Sequence, residues 1–454
     1  MKRFSDVVLQ VTGGRSVLYN EQAHFQSFFS FFFYTLFTTE GIVVSILEEL
    51  QNDASWDAFL KYKTERDHFS IKERKAWEQF IEEKAYQGIV SCLRETDFTF
   101  DYPTKILVNK SGTGKKRIVY SFREEETAVL KVMAYLLYRY DDRISPHCYS
   151  FRREATAKTA IQQILRIKKL EHKYTLKADI SNYFNSIPPE RLVEILRKML
   201  SDDEALVLCL ERLLLAGKAY ENGELITEAR GAMAGIPIAP FFANVYLHSM
   251  DEEFDRRGVA YYRYSDDILL FADSEAQLEE YEALLYRLID VKGLRINPDK
   301  VRKTAPGEGW EFLGFAYRDG KVDLSEVTKN KMKAKIRRKA NKLYRWRMKK
   351  DVSFEKTAKV MIRVFNRKFY DESDENRFSW SRWFFPLLTT DEGLKELDAY
   401  LIQYIRYLYS GRHYKGNYRV TYEQIKELGF RSLVNEFYKR AEERRNPNGK
   451  VYKM

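Results

Sequence analysis

Asp266 and Asp267 stand side by side in Arg263-Tyr264-Ser265-Asp266-Asp267-Ile268-Leu269-Leu270-Phe271, and their flanks restrict what this chain can fold into. Aromatic residues precede the pair (Tyr261, Tyr262, Tyr264) and an apolar run follows it (Ile268 to Ala272). β-prone residues on both sides of a short polar centre predict a hairpin with its carboxylates at the turn. Buried charges are costly unless they are paired or bound to a metal. An exposed acidic turn is the ordinary reading of such a dipeptide. Asp141-Asp142 and Asp202-Asp203 fit it, because neither pair has apolar flanks on both sides.

A further carboxylate changes the weighing. In Tyr174-Thr-Leu-Lys-Ala-Asp179-Ile180-Ser-Asn-Tyr-Phe184, a β-prone run delivers Asp179 to its end. Pro188-Pro189 then opens a segment in which Leu192, Ile195, Leu196 and Met199 recur at helical spacing. If the two strands are neighbours in one sheet, three carboxylates converge. With no histidine or cysteine nearby, such a set suits hard, oxygen-preferring ions, Mg²⁺ before zinc. Two such ions roughly 3.5–4 Å apart serve in-line phosphoryl transfer, so nucleotidyl transfer or its hydrolytic relative is the expected chemistry.

Asp-Ile-x-x-x-Phe followed by Tyr-x-Asp-Asp resembles the palm of reverse transcriptases, and further segments match in order. Residues 110–123 (Lys-Ser-Gly-Thr-Gly-Lys-Lys-Arg-Ile-Val-Tyr-Ser-Phe-Arg) resemble the basic fingers hairpin. Cys148-Tyr-Ser-Phe-Arg152 is similar to a segment of bacterial retroelement polymerases. Gly231 to Leu247 resembles the segment that contacts template and nucleotide. Gly293 to Lys300 and Trp310 to Phe315 resemble the two that follow the hairpin, the second being the primer grip. The resemblance spans about 105–317. It implies an α+β right-hand polymerase: fingers, a palm built on an antiparallel sheet with the Tyr-Ser-Asp-Asp hairpin, a helical thumb and a helical N-terminal extension. It also implies roles. Asp179 and Asp266 hold two Mg²⁺ ions, with Mn²⁺ as a substitute and the Ile180 carbonyl as a further ligand, and Asp267 supports them. Lys110 and Arg117 hold the triphosphate, Phe184 blocks a ribose 2′-hydroxyl and so favours deoxynucleotides, and Lys300 reaches the leaving pyrophosphate, with a solvated surface lysine as the alternative. Arg152, Gly235, Trp310, Gly314, Lys335, Arg338 and Lys342 fall in template- or primer-handling segments. Met233-Ala234-Gly235 stands where the family has Pro-Gln-Gly, so an amide that positions template and nucleotide is missing, unless Gly235-Ile-Pro237 is the true anchor.

The net charge of +11 fits an anionic partner, although basicity alone also fits a membrane surface. Its distribution says more. Residues 329–350 hold twelve Lys or Arg and no acid, with Met332, Ile336, Ala340 and Leu343 on one face. That predicts an amphipathic helix with a cationic outer surface, placed as a thumb helix against a primer–template backbone. Three cysteines are too few for a disulfide framework. Together with the absence of a signal peptide, they predict a cytoplasmic protein. The aromatic run at 28–37 is too short for a bilayer, which needs about 20 apolar residues. Ser111-Gly-Thr-Gly-Lys-Lys116 is not a phosphate loop, because Asn109 replaces the first glycine and Lys116 the Ser/Thr.

The expected organisation is an extension over 1–100, fingers over 101–178 and 188–231, palm over 175–187 and 232–320, and a helical thumb and C-terminal region over 321–454. A hairpin turned at Asp319-Gly320 closes the palm. Leu394, Leu397, Leu401, Ile405 and Leu408 form a buried stripe, 371–375 an acidic loop, and Trp380 and Trp383 core or base-stacking rings. Leu428-Gly-Phe-Arg-Ser-Leu-Val434 resembles the closing segment of some bacterial reverse transcriptases, and the phage-defence-associated groups fit best. The implied partners are dNTPs, a noncoding RNA template and the cDNA product. Homo-oligomerisation or a partner protein is left open. A group II intron-type enzyme, an RNA-binding scaffold and an RNA-dependent RNA polymerase are the alternatives. Phe184 opposes the last of these, and the intact aspartates oppose a purely structural role.

Overall fold

The computed structural model describes residues 44–66, 71–95, 97–109, 116–228, 231–370 and 379–445. The 28–37 run, Lys110 and the 371–375 loop lie outside these. Eleven strands are present among the described residues: β1 (Thr104–Asn109), β2 (Lys116–Ser121), β3 (Tyr174–Asp179), β4 (Lys218–Glu221), β5 (Glu224–Thr227), β6 (Ala260–Tyr264), β7 (Asp267–Ala272), β8 (Arg302–Thr304), β9 (Trp310–Phe312), β10 (Phe315–Arg318) and β11 (Lys321–Leu324). They form three sheets, ordered β2-β1-β4-β5, β6-β7-β3-β8 and β11-β10-β9. With helices packed around them the class is α+β, as expected.

The middle sheet, antiparallel throughout, organises the rest. Its strand β7 is an unbroken apolar run because both its faces are covered. Ile268, Leu270 and Ala272 enter one hydrophobic core, whereas Leu269 and Phe271 enter another. The two-residue period of a strand thus divides the molecule into two cores. Burying each large side chain contributes about 1.5–3 kcal/mol.

The first core takes in the helices Ile46–Glu49, Asp53–Arg66 and Gln87–Val90 through Ile46, Leu47, Trp56, Phe59 and Val90. The described part of the N-terminal extension is therefore continuous with this core. Trp56 stacks on Tyr86 at 3.8 Å and donates to the Leu50 carbonyl at 2.8 Å. Asp203 makes a second tie. Its carboxylate accepts from Leu206 N (3.1 Å) as the N-cap of helix Glu204–Leu215, and from Ser45 Oγ (2.7 Å) and Ile46 N (2.8 Å). What reads in sequence as a turn acid is 3% exposed and caps two helix starts.

The second core holds the C-terminal helices. Glu326–Lys350 is one long helix whose buried residues are Met332, Ile336, Ala340 and Leu343, the face expected from spacing. Ser325 caps it, with Oγ accepting from Thr328 N. In helix Glu392–Ser410 the expected leucine–isoleucine stripe is buried. Trp380 and Trp383 pack against this core, Trp380 lying 4.6 Å from Phe384 and 5.4 Å from Phe369. The closing hairpin β10–β11 turns at Asp319 (φ +48°) and Gly320 (φ +73°), two left-handed residues as a type I′ turn requires. In helix Pro189–Met199 the buried residues are Pro189, Leu192, Val193 and Leu196, so Val193 joins the expected face.

Replacing Asp203 with alanine removes both caps at once. The expected loss is about 2–4 kcal/mol, summing a lost N-cap and charge-assisted bonds at a buried site. Urea denaturation of the Asp203→Ala chain checks this, and a loss below about 1 kcal/mol contradicts it.

Candidate active site

β3 and β7 run antiparallel with Asp179 opposite Asp267, the last pair of their ladder. β6 pairs with the other edge of β7, Tyr264 opposite Asp267, which leaves Ser265 and Asp266 as a two-residue turn. Ser265 has φ +60°, and Asp266 has no positive φ. That is the pattern of a type II′ turn, whose first central position normally takes glycine. Ile180 N donates to the Asp266 carbonyl at 3.2 Å, closing the β3 end against the turn. The three aspartates expected from sequence thereby lie at one end of the middle sheet.

A buried network holds the strained turn. Arg263 and Asp251 are both fully buried. Arg263 Nε donates to Asp251 Oδ1 at 2.7 Å and Nη2 to Oδ2 at 2.5 Å. Arg263 Nη1 reaches the Ser265 carbonyl at 3.2 Å, and Tyr261 OH donates to Asp251 Oδ1 at 2.7 Å. Ser265 N donates to Ser150 Oγ at 2.8 Å, and Ser150 Oγ to Asn244 Oδ1 at 2.9 Å. Asn244 Nδ2 returns to the Ser150 carbonyl at 2.7 Å. Sequence reading missed this brace, although a signal existed: Arg263 is a lone charge among aromatic residues in a strand.

The carboxylates strain against each other. Asp266 is pushed up from its ordinary 3.8 to about 6, by burial first and by the Asp179 carboxylate second. Burial also raises Asp267, against the pull of Lys177. Lys300 Nζ sits 2.6 Å from Asp179 Oδ2, so this lysine is part of the cluster and not only a solvated surface residue. An all-oxygen donor set in which Asp266 and Asp267 are raised by burial and by a neighbouring carboxylate fits hard divalent ions. Among the described residues, however, no three Asp, Glu, His or Cys side chains converge at ligand spacing. A bound ion would therefore displace Lys300 from Asp179. Asp179, Asp266 and the Ile180 carbonyl are the groups that would hold it.

Beside the carboxylates, Phe184 is half-buried in the short helix Tyr183–Ser186. Phe184 O accepts from Ala232 N at 2.7 Å. A Cβ on Gly231 (φ +104°) would lie 2.8 Å from Asn185 Cα, and one on Gly235 (φ +108°) 3.0 Å from the Tyr120 carbonyl. Glycine is required at both positions because backbone meets backbone. A side-chain amide does reach Ala234, and sequence reading missed it. Asn185 Oδ1 accepts from Ala234 N (3.2 Å), and its Nδ2 donates to the Ile118 carbonyl (3.3 Å). Tyr120 N donates to the Ala234 carbonyl at 2.7 Å, which stitches this floor to β2.

Other expected site residues fall in different places. Arg117 is exposed on β2, and Lys110 lies outside the described residues. Arg152 spends its guanidinium on the carbonyls of Asp141 (2.7 Å), Ser145 (2.9 Å) and Cys148 (3.2 Å), bracing its own segment where a template contact was expected. Trp310 is 6% exposed and stacks on Tyr317 at 5.3 Å, so its ring packs the core and has no access to a nucleic-acid strand. Gly314 O accepts from Ser325 N (3.0 Å) and Thr328 Oγ1 (2.9 Å), which joins β9–β10 to the start of the basic helix. On that helix Lys335, Arg338 and Lys342 are exposed, and Lys331 is close enough to lower Asp267.

Since folded Asp266 holds its proton more tightly than the unfolded chain does, the contribution of this group to metal-free stability is greatest below the ordinary carboxylate range. It declines as pH rises towards and through about 6. The expected loss relative to Asp266→Asn is up to about 3 kcal/mol between pH 4 and 7.5, at 1.36 kcal/mol per pKa unit. Urea titrations in EDTA across that range measure it. Parallel profiles for the two proteins would show that the carboxylates do not repel.

Residues 108–317 match the family described as reverse transcriptase (RNA-dependent DNA polymerase). Retron Ec86 reverse transcriptase of Escherichia coli is 23% identical over 266 residues, 56% of this chain and 75% of that protein. Retron Ec83 reverse transcriptase, also of Escherichia coli, is 32% identical over 168 residues, 34% of this chain and 52% of that protein. An uncharacterised 91 kDa protein in the cob intron of Schizosaccharomyces pombe is 25% identical over 224 residues, 47% of this chain but only 27% of that protein. The chain thus carries a reverse transcriptase domain related to those of retrons and intron-encoded proteins.

Proposed function

We propose that this chain is an RNA-directed DNA polymerase that extends a primer on an RNA template by two-metal nucleotidyl transfer. The register that sets Asp179 against Asp267, with Asp266 in the braced turn between β6 and β7, carries the reading. Asp179, Asp266 and the Ile180 carbonyl would hold two divalent ions, Mg²⁺ with Mn²⁺ as a substitute, which would supply an activated primer hydroxyl and charge stabilisation at the leaving oxygen. Lys300 neutralises Asp179 in their absence. With an ion bound at that carboxylate, the Lys300 ammonium would be available to the departing pyrophosphate. Phe184 closes the sugar side of the pocket and selects dNTPs. Arg117, with Lys110 of the same hairpin, takes the triphosphate, where a fork of donors suits phosphate oxygens. Lys335, Arg338 and Lys342 hold the backbone of the primer–template.

The reading extends to an associated noncoding RNA as template and to antiphage defence. The support is the resemblance of Cys148 to Arg152 and of Leu428 to Val434 to segments of bacterial enzymes. No described helix is long and apolar enough to cross a membrane.

Asp266→Ala and Asp179→Ala should each lower dNTP incorporation about 10²–10³-fold, the scale seen when an electrostatic stabiliser is removed. RNA bound to the protein should be retained. Primer extension with radiolabelled dNTPs, together with sequencing of the co-purifying nucleic acid from wild type and Asp266→Ala, tests template and chemistry at once. Exclusive use of ribonucleotides by the wild type would sink the reading. Phage plating on cells carrying the same two proteins tests the defence role, and equal protection by both would remove catalysis from it.

A further inference from the structure

The Cys148-Tyr-Ser-Phe-Arg152 segment contains a residue that the proposed mechanism leaves unused. Phe151 has φ +53°, in the left-handed region, which for a bulky side chain is a strained exception. Its neighbours on both sides are fixed. Ser150 is fully buried, accepts from Ser265 N at 2.8 Å and is clamped by Asn244. Arg152 is anchored by three carbonyls. The chain must turn between these two anchors, and the turn sends the Phe151 ring outward. It remains 39% exposed, one of the large apolar side chains of the first half that the core does not absorb.

The ring is aimed at the site. It meets the Phe184 ring edge-on, with centroids 6.4 Å apart at 71°, and the Tyr264 ring at 6.2 Å and 46°. Tyr264 is the residue immediately before the Ser265-Asp266 turn, and Phe184 is the ring assigned to the nucleotide sugar. Phe151 therefore stands between the catalytic hairpin and the sugar-facing ring, touching both. Phe184 is only half-buried, and its own short helix starts from Asn182 with no side-chain cap. Its ring thus depends on neighbours for a fixed orientation. A ring that swings by one rotamer no longer fills the space where a 2′-hydroxyl would go. Edge-to-face contact restrains such a swing and adds to the packing.

We propose that Phe151 is a positioning residue for deoxynucleotide selection: its ring backs Phe184, so that two aromatic rings, and not one, exclude the ribose 2′-hydroxyl. The chain accepts a strained backbone at 151 to place that ring, as functional sites commonly do. This inference rests on the polymerase reading of the same site.

The test uses the full-length protein with a supplied RNA template and annealed DNA primer, measuring single-nucleotide incorporation of dGTP and GTP opposite cytosine. Phe151→Gly relieves the backbone strain while deleting the ring, so its melting temperature should equal or exceed that of the wild type. Its preference for dGTP over GTP, taken as the ratio of kcat/KM values, should fall about tenfold, the size expected for one lost pocket contact. The fall should come mainly from easier GTP use. Phe184→Ala should lose more preference than this, and adding Phe151→Gly to it should cost little further, because the backing ring then has nothing to hold. Phe151→Leu, which keeps bulk in place, should restore part of the preference. An unchanged dGTP:GTP ratio in Phe151→Gly overturns the proposal. So does an equal loss for both nucleotides, which would make Phe151 a contact for the primer or the base. A wild-type protein that incorporates neither nucleotide contradicts the polymerase reading itself, and the inference with it.

Discussion

The buried ion pair of Arg263 with Asp251 is the interaction on which the site depends. Neither group is solvent-exposed, and an apolar core tolerates such charges only when they are paired and hydrogen-bonded. A buried pair contributes little net stability against an apolar replacement, whereas removal of one partner typically costs about 3–5 kcal/mol. What this pair gains is specification. Arg263 has donors left after satisfying Asp251, and they point at the Ser265 and Asn244 carbonyls. The catalytic turn needs a left-handed residue and has serine where glycine would be easiest. Arg263 from one side and Ser150 from the other oblige Ser265 to adopt it, and Asp266 is placed as a result. The proposed chemistry at the turn thus rests on a charge that never meets the substrate.

The parts of this arrangement that were legible in the sequence are those that repeat or punctuate. Apolar alternation in Ile268 to Ala272 and helical spacing in Met332, Ile336, Ala340 and Leu343 mark elements, because burial acts on every residue of a face. Asp319-Gly320 marks a turn, because few residues accept its backbone angles. Asp179 and Asp266 were legible as a pair because carboxylates at the ends of apolar strands have few structural uses. The long-range hydrogen bonds were not. Asp203 reaches Ser45 across 158 positions and Ser150 reaches Ser265 across 115, and no local pattern encodes such a partner. Trp310 and Arg152 show the opposite failure. Their place in a motif pointed to nucleic acid, but the motif locates the chain and does not say which way a side chain faces. Trp310 turns inward to Tyr317, and Arg152 turns back on its own loop.

Met233-Ala234 is instructive for the same reason. As a string it lacks an amide. In three dimensions the amide arrives from Asn185, one residue beyond Phe184, and it bridges Ala234 to Ile118 of β2. The Phe184 helix, the Ala234 segment and the basic hairpin are therefore mechanically joined through a single side chain.

Charge on the two sides of the cleft follows one logic. Burial first, and the Asp179 carboxylate second, raise Asp266 until it holds its proton to about pH 6, and cations relieve the arrangement. The long basic helix is its counterpart. Lys329 and Lys333 are spent on Glu396, and Arg347 on the carbonyls of Leu408 and Tyr409, so part of the cationic run fastens the helix to its neighbour. The remainder is crowded. Lys335 is lowered by burial and then by Lys368, Arg338 and Lys331. Like charges held together on a rigid helix repel one another until a polyanion neutralises them, and its binding then releases counterions. Lys331 belongs to this group and is also felt by Asp267, so the two fields meet at the mouth of the site. A nucleic-acid backbone along the helix and divalent ions among the carboxylates would each relieve a repulsion already built into the fold.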